Sequence, residues 1–370
     1  MNTEKIGYVE AIALITIVMI NKIILNTPKD IIANTGPSSW LNVIYISIIS
    51  IVIVYLITKL LKQFPGHDIL DISNYLGGKN LKVIIGIAYM TLIVFLAITI
   101  IKNLSETLRI IYFRTSPILF IILFFIISSI ISNRFNLKVI AKANLIIAPI
   151  TFISIIIILF SSIRNFMPQR IFPILGYGID KTFLSGLSNI FSFSGMLYLL
   201  FLPPLLDKPD KIKRMSIVAI IISSIYLFLS VTCLLLSLSF TLNSDESFSL
   251  YVLTRNLEYG RFIQRVDAIF ILVWIISIIS YINIPIFLCI YIFKKLTNID
   301  NTNSINYSIN LFILAITLIP IEYAFFTNIF GKLVQYLFFI LFFGISIPIL
   351  VIANLKLKLS NKTRKDNYEK

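Results

Sequence analysis

Long runs of Ile, Leu and Phe alternate with short polar breaks along almost the whole of this chain. A hydrocarbon core about 30 Å thick is crossed by roughly 20 helical residues, and the runs match that length. No water is available there to satisfy backbone N–H and C=O groups, so each run is expected to be an α-helix. Ten spans are predicted, giving an all-α integral membrane protein. They are residues 7 to about 34, 40–61, 81–101 or somewhat longer, 117–132, 139–163, 183–205, 215–238, 262–293, 305–325 and 332–355. A basic tail follows at 356–370.

Two spans carry polar interruptions, and they are the first of each five-helix half. Span 1 contains Asn21 and Lys22 between apolar stretches, and an interruption is expected there because Asn is a poor helix former. Lys22 in lipid would be costly, so it faces a cavity or a partner, or else it snorkels to the outer interface. Span 6 contains Ser192-Phe193-Ser194-Gly195, where glycine and competing hydroxyls weaken the helix or form a small-residue packing face. Transporters built from inverted repeats bind substrate where two such helices unwind in matching positions. Other polar positions predicted to lie within spans are Thr91, Thr99, Ser277, Ser280, Asn283 and Glu322, while Pro285 is expected to kink span 8. Trp274 is read as packing. The outer segment 164–182, with two prolines and two glycines, is an ordered turn region. Residues 248–259 are expected to form a short amphipathic helix on the outer surface.

The 370 residues are 58% hydrophobic and 13% charged, with mean hydropathy +0.94, which excludes both a soluble globule and a disordered chain. No segment between spans is long enough for a separate soluble domain, so residues 1–370 form one membrane domain. The formal charge of +15 lies at helix ends rather than in one stripe, which argues against nucleic-acid binding. Instead it sets topology. With the N-terminus inside, the cytoplasmic segments hold 20 of the 32 basic residues and the outer ones 11, so both termini are expected in the cytoplasm. No small-residue cleavage site follows the first run, so the first helix is expected to stay.

Candidate chemistry is sparse. His67 is the only histidine, which excludes a multi-histidine metal site, and Cys233 and Cys289 lie mid-span as small hydrophobic residues. No paired carboxylates, nucleophile triad or phosphate-cradling glycine loop is present. An enzyme, a metal and a cofactor are therefore not expected.

Several stretches resemble one family, the spore-germination permeases, which are the B-type subunits of germinant receptors within the amino acid–polyamine–organocation transporter superfamily. They are "IILNTP" ending at Pro28, "FPGHDILDISNYLGGK" (64–79), "FPILGYG" (172–178), "FSFSGMLYLLFLPPL" (191–205) and "RVDAIFILVWII" (265–276). The resemblance covers essentially the whole chain. It implies two inverted five-helix repeats, LeuT/APC-like, at about 7–163 and 183–355, with helices 1 and 6 discontinuous. It also implies a sensor of a small nutrient, commonly an amino acid, in the inner membrane of a dormant spore, with a larger A-type membrane subunit and a C-type lipoprotein as partners. Carried over by position, the family's pocket falls on Ile20, Asn21, Lys22, Ile23, Leu92, Phe193, Ser194, Gly195, Met196 and Ser280. Relatives tend to have glycine at Asn21 and a small residue at Lys22, and some have an acid at Leu197. A lysine without that acid favours an anionic ligand group, or a fixed charge replacing a coupling cation. A true amino acid transporter, or a scaffold or ion-conduit subunit, would use the same span pattern.

Overall fold

The structure is a computed structural model that describes residues 5–25, 27–237 and 266–368. The expected surface helix at 248–259 lies outside the described residues. Eight helices among the described residues are long and apolar enough to cross a membrane. Ten spans are reached only by adding the shorter apolar helix Ile118–Ser132 (α5) and the more polar helix Thr302–Thr317 (α9). Large apolar side chains face outward, among them Phe120 and Ile146, each 66% exposed. In water that surface would be a liability, and against lipid tails it is the surface such a protein needs.

Helix α1 (Tyr8–Leu25) is the hub. Nearly every residue from Ala11 to Ile24 is buried, and the helix packs on α6 (Leu137–Ser161), α7 (Ile212–Ser237), α8 (Val266–Thr297) and the segment Ser185–Leu200. A helix apolar on every face belongs in a core. The expected interruption at Asn21 and Lys22 does not occur. Helix α1 runs through both residues to Leu25, and helix α2 (Thr27–Thr35) lies beyond it. The poor propensity of Asn21 is overridden as its amide nitrogen finds acceptors within the fold, donating to Ile17 O at 2.9 Å and to Ser277 Oγ at 2.6 Å. The hydroxyl of Thr27 donates back to Lys22 O at 2.9 Å.

Span 6 is irregular throughout. A π-type turn at Asp180–Leu184 leads into 3₁₀ geometry from Ser185 to Leu200. Runs of 3₁₀ beyond three or four residues are uncommon, because their hydrogen bonds are poorly aligned. Within the expected Ser-Phe-Ser-Gly stretch, Phe193 leaves helical geometry at φ −95° and ψ 24°. Spans 1 and 6 also meet at their far ends, where Ile6 N donates to Leu205 O at 2.8 Å and Asp207 N to Ile6 O at 3.0 Å.

Helix α3 (Ser39–Leu61) starts after a turn at Gly36–Ser38. Side-chain amides lock it and α2 to the start of span 6. Asn42 Nδ2 donates to Thr182 O at 2.7 Å, Asn189 Nδ2 to Asn42 Oδ1 at 2.9 Å, and Asn34 Nδ2 to Asn189 Oδ1 at 2.9 Å. Gly186 permits this contact, since a Cβ there would lie 2.3 Å from Asn42 Nδ2.

Helix α4 (Ile69–Ile111) begins earlier than span 3 was expected to and bends at Gly77 and Gly78. Gly78 sits at φ 70°, ψ −166°, a conformation essentially confined to glycine. Two expectations near the C-terminus are corrected. Span 9 ends at Thr317, where buried Lys102 donates to Thr317 O at 3.1 Å and so serves the free carbonyls at the end of α9. Glu322 is therefore not mid-span but stands at the N-cap position of α10 (Tyr323–Phe339), nine residues before the expected start of span 10. A π-type segment at Ile340–Ser346 joins α10 to α11 (Ile347–Tyr368).

Candidate ligand-binding cavity

Two helix faces of polar side chains and the ends of spans 1 and 6 converge on one cavity of about 450 Å³. That lies within the range of small-molecule sites. The α4 face contributes Leu96, Thr99, Ile100 and Asn103, spaced at helical intervals, and the α10 face contributes Tyr323, Thr327, Asn328, Gly331, Lys332 and Gln335. Lys22, Leu25, Thr27, Lys29 and Asp30 close it from span 1, Phe191 and Ser194 from span 6, and Tyr281 from α8.

Lys22 ties span 1 to span 6 at the cavity. Its ammonium donates to the carbonyl of Phe191 and, at 2.6 Å, to Ser194 Oγ, and it lies 3.2 Å from the centre of the Phe191 ring. Its hydrogen-bond acceptors are both neutral. One turn away along the 3₁₀ segment, Gly195 allows the close crossing of the two spans, because a Cβ there would approach Met19 Cγ to 2.9 Å. Farther out, Gln335 Nε2 reaches Ser188 O at 3.3 Å and connects α10 to span 6. The wall carries three lysines against one carboxylate, together with hydroxyl, amide and aromatic groups. Such a wall suits a small polar molecule with an anionic group.

Of the residues singled out from the sequence, the structure places Lys22 and Ser194 on the cavity wall. The others lie off it. Ile20, Asn21 and Ile23 are buried in α1, and Asn21 points to α8, where its amide also reaches Ser277 O at 3.3 Å. Leu92 is buried in α4, one turn before the wall residue Leu96. Phe193, Gly195 and Met196 are buried in span 6, and Ser280 is buried beside the wall residue Tyr281. The cavity thus sits toward the C-terminal end of α1, above the pocket expected by position. Sequence reasoning missed the α10 face, although its signal was available: Tyr323, Thr327, Asn328, Lys332 and Gln335 form a polar stripe at helical spacing.

At the opposite end of the bundle a second polar cluster is tied by ion pairs. Asp68 caps α4, accepting from Leu70 N at 2.9 Å and Asp71 N at 3.0 Å, and its other oxygen accepts from Tyr291 OH and Lys295 Nζ, each at 2.7 Å. Lys295 also reaches Asp71 Oδ2 at 2.6 Å. Burial pushes the Asp68 carboxyl above its ordinary value, against the pull of the Lys295 ammonium.

Known proteins agree with this architecture. The structure of MhsT in complex with L-phenylalanine superposes on 93% of this chain and 98% of its own, with TM-score 0.64 at 13% identity. A manganese transporter of Eremococcus coleocola covers 93% of this chain and 77% of its own, with TM-score 0.52 at 14% identity. At such identities the likeness shows the fold alone, and the fold is LeuT/APC-like. In sequence, spore germination protein B2 of Bacillus subtilis (strain 168) is 24% identical over 274 residues, 73% of this chain and 74% of that protein. Spore germination protein KB of the same organism is 21% identical over 325 residues, 86% of each. Residues 5–326 match the profile of the family described as spore germination protein, and this multi-pass membrane chain belongs to that family.

Proposed function

We propose that this chain is the germinant-binding membrane subunit of a spore germination receptor, a transporter-shaped sensor of a small nutrient. The observation that carries the reading is the cavity at the junction of spans 1 and 6, where Lys22 bonds directly to the irregular backbone of span 6. An amino acid is the class of ligand that fits a wall of lysines, one carboxylate, hydroxyls and aromatic rings. Binding there favours one arrangement of the two spans over another, and that differential affinity is what partner subunits read. On this reading the partners are the A-type and C-type receptor subunits, the membrane is the inner membrane of the spore, and both termini face the cytoplasm. The family membership and the amino acid bound to a structural neighbour support it.

The test is germination of spores that carry this chain with its partner subunits, triggered by each of the twenty amino acids, with and without Ser194→Val. The reading expects at least one amino acid to trigger germination and Ser194→Val to shift the required concentration. Triggering that is indifferent to every amino acid sinks it. The likeness to solved transporters favours a second reading, net translocation of an amino acid. Uptake of labelled amino acid by proteoliposomes holding this chain alone would establish that reading.

A further inference from the structure

We propose that the ligand presents a carboxylate to Lys22, and that this contact draws the ammonium away from Phe191 O and Ser194 Oγ and so releases span 6 from span 1. The inference rests on the reading of the cavity as a ligand seat and names the group that the seat recognises. Its first support is an imbalance of charge. An ammonium removed from bulk water is costly unless an opposite charge accompanies it. Lys22 hydrogen-bonds a carbonyl and a hydroxyl over an aromatic face, and Asp30 on the same wall acts on it only through space. Lys102 likewise donates to carbonyls, whereas Lys295 holds two carboxylates directly. A carboxylate on the molecule that fills the cavity gives Lys22 a direct partner of opposite charge.

The second support is the composition of the wall. Lys22, Lys29 and Lys332 outnumber Asp30, so the wall carries surplus positive charge. Asp30 and the buried, unpartnered Oδ1 of Asn103 provide acceptors on the same wall for a donor elsewhere on the ligand. The third support is where Lys22 is anchored. Phe191 O and Ser194 Oγ flank Phe193, the residue at which span 6 leaves helical geometry. Backbone groups at an irregular segment lack the partners a regular helix supplies, and the Lys22 ammonium provides one. A carboxylate that competes for that ammonium therefore acts directly on the junction between the two spans. Ligand recognition and conformational release become one event.

The experiment is thermal unfolding of the purified full chain in detergent with the twenty amino acids and a set of simple carboxylates. Each compound that raises the midpoint is then compared with its amide, in wild type, Lys22→Arg and Lys22→Met. The expected result is a preference for the acid over the amide of at least tenfold in half-saturating concentration, kept by Lys22→Arg and lost in Lys22→Met. Equal binding of acid and amide by wild type overturns this inference and leaves the proposed function standing. A preference that survives in Lys22→Met also overturns it. If no member of the panel binds, the proposed function falls and this inference falls with it. The wild-type comparison decides the matter even if Lys22→Met does not fold.

Discussion

Lys22 and Lys295 lie at opposite ends of the bundle, and each ties two elements together, yet they do so by opposite means. Lys295 sits between Asp68 and Asp71 with Tyr291 alongside, and every oxygen of Asp68 is engaged. Two carboxylates share that one ammonium, and each meets it directly. Lys22 holds two neutral oxygens and borders a cavity of about 450 Å³. A closed ion pair fixes one geometry, because breaking it strands a buried charge. A cation held by neutral groups is bound weakly enough to be exchanged, and the space beside it admits what would replace them. The same side chain thus serves as a fastener at one end and as a receptor at the other.

The sharpest way to break that comparison is to remove the fastener. Lys295→Met would leave Asp68, wholly buried, with its hydrogen bonds but without a counter-charge. Truncating one partner of a buried pair costs about 3–5 kcal/mol. Thermal or denaturant unfolding of the purified protein should therefore show a large loss for Lys295→Met. Lys295→Arg should recover much of it. Should Lys295→Met unfold like wild type, the cluster is not a fastener and the contrast with Lys22 collapses.

A middle-sized effect separates neighbours in sequence. Asn21 and Lys22 are adjacent, but Asn21 faces α8 and holds Ser277, while Lys22 faces the cavity. Asn21→Ala strands the Ser277 hydroxyl in a buried interface, and such a group costs about 1–3 kcal/mol. The variant should lose stability by that amount and keep any preference for acid over amide. Loss of that preference in Asn21→Ala, with stability unchanged, would move Asn21 into the binding machinery.

These two residues also show how much of the molecule was legible beforehand. Span positions follow from apolar runs, since lipid allows no other reading of them, and the crossing of spans 1 and 6 was signalled by Gly195 and its serines. The end points were less legible. Helix α1 continues through Asn21 with its amide nitrogen donating across to Ser277, and no local propensity contains that information. Span 9 stops at Thr317 because Lys102, distant in sequence, meets its carbonyls. That boundary decides the site as well. With span 10 taken to start at Lys332, residues 323–331 are divided between a span end and a loop, and the polar stripe of α10 is cut in two and overlooked. The cavity was half visible, in Lys22 and Ser194, because those are polar groups in apolar runs. Its other half required a helix boundary set by packing.

The smallest effect is the one on which the comparison turns most finely. Lys22→Met replaces the ammonium by an apolar chain of similar length. It gives up two hydrogen bonds and a contact with the Phe191 ring, but it also removes a charge whose hydrogen bonds go only to neutral groups. Replacing buried ionic groups by apolar ones of similar volume is often neutral or stabilising, and here the ammonium has no ionic partner among its hydrogen bonds. The unliganded variant should unfold within about 1 kcal/mol of wild type, or above it. The same substitution at Lys295 should be several times more costly. If Lys22→Met instead destabilises the empty protein as much as Lys295→Met does, the ammonium is a structural fastener like its counterpart, and a ligand carboxylate would have no loosely held cation to claim.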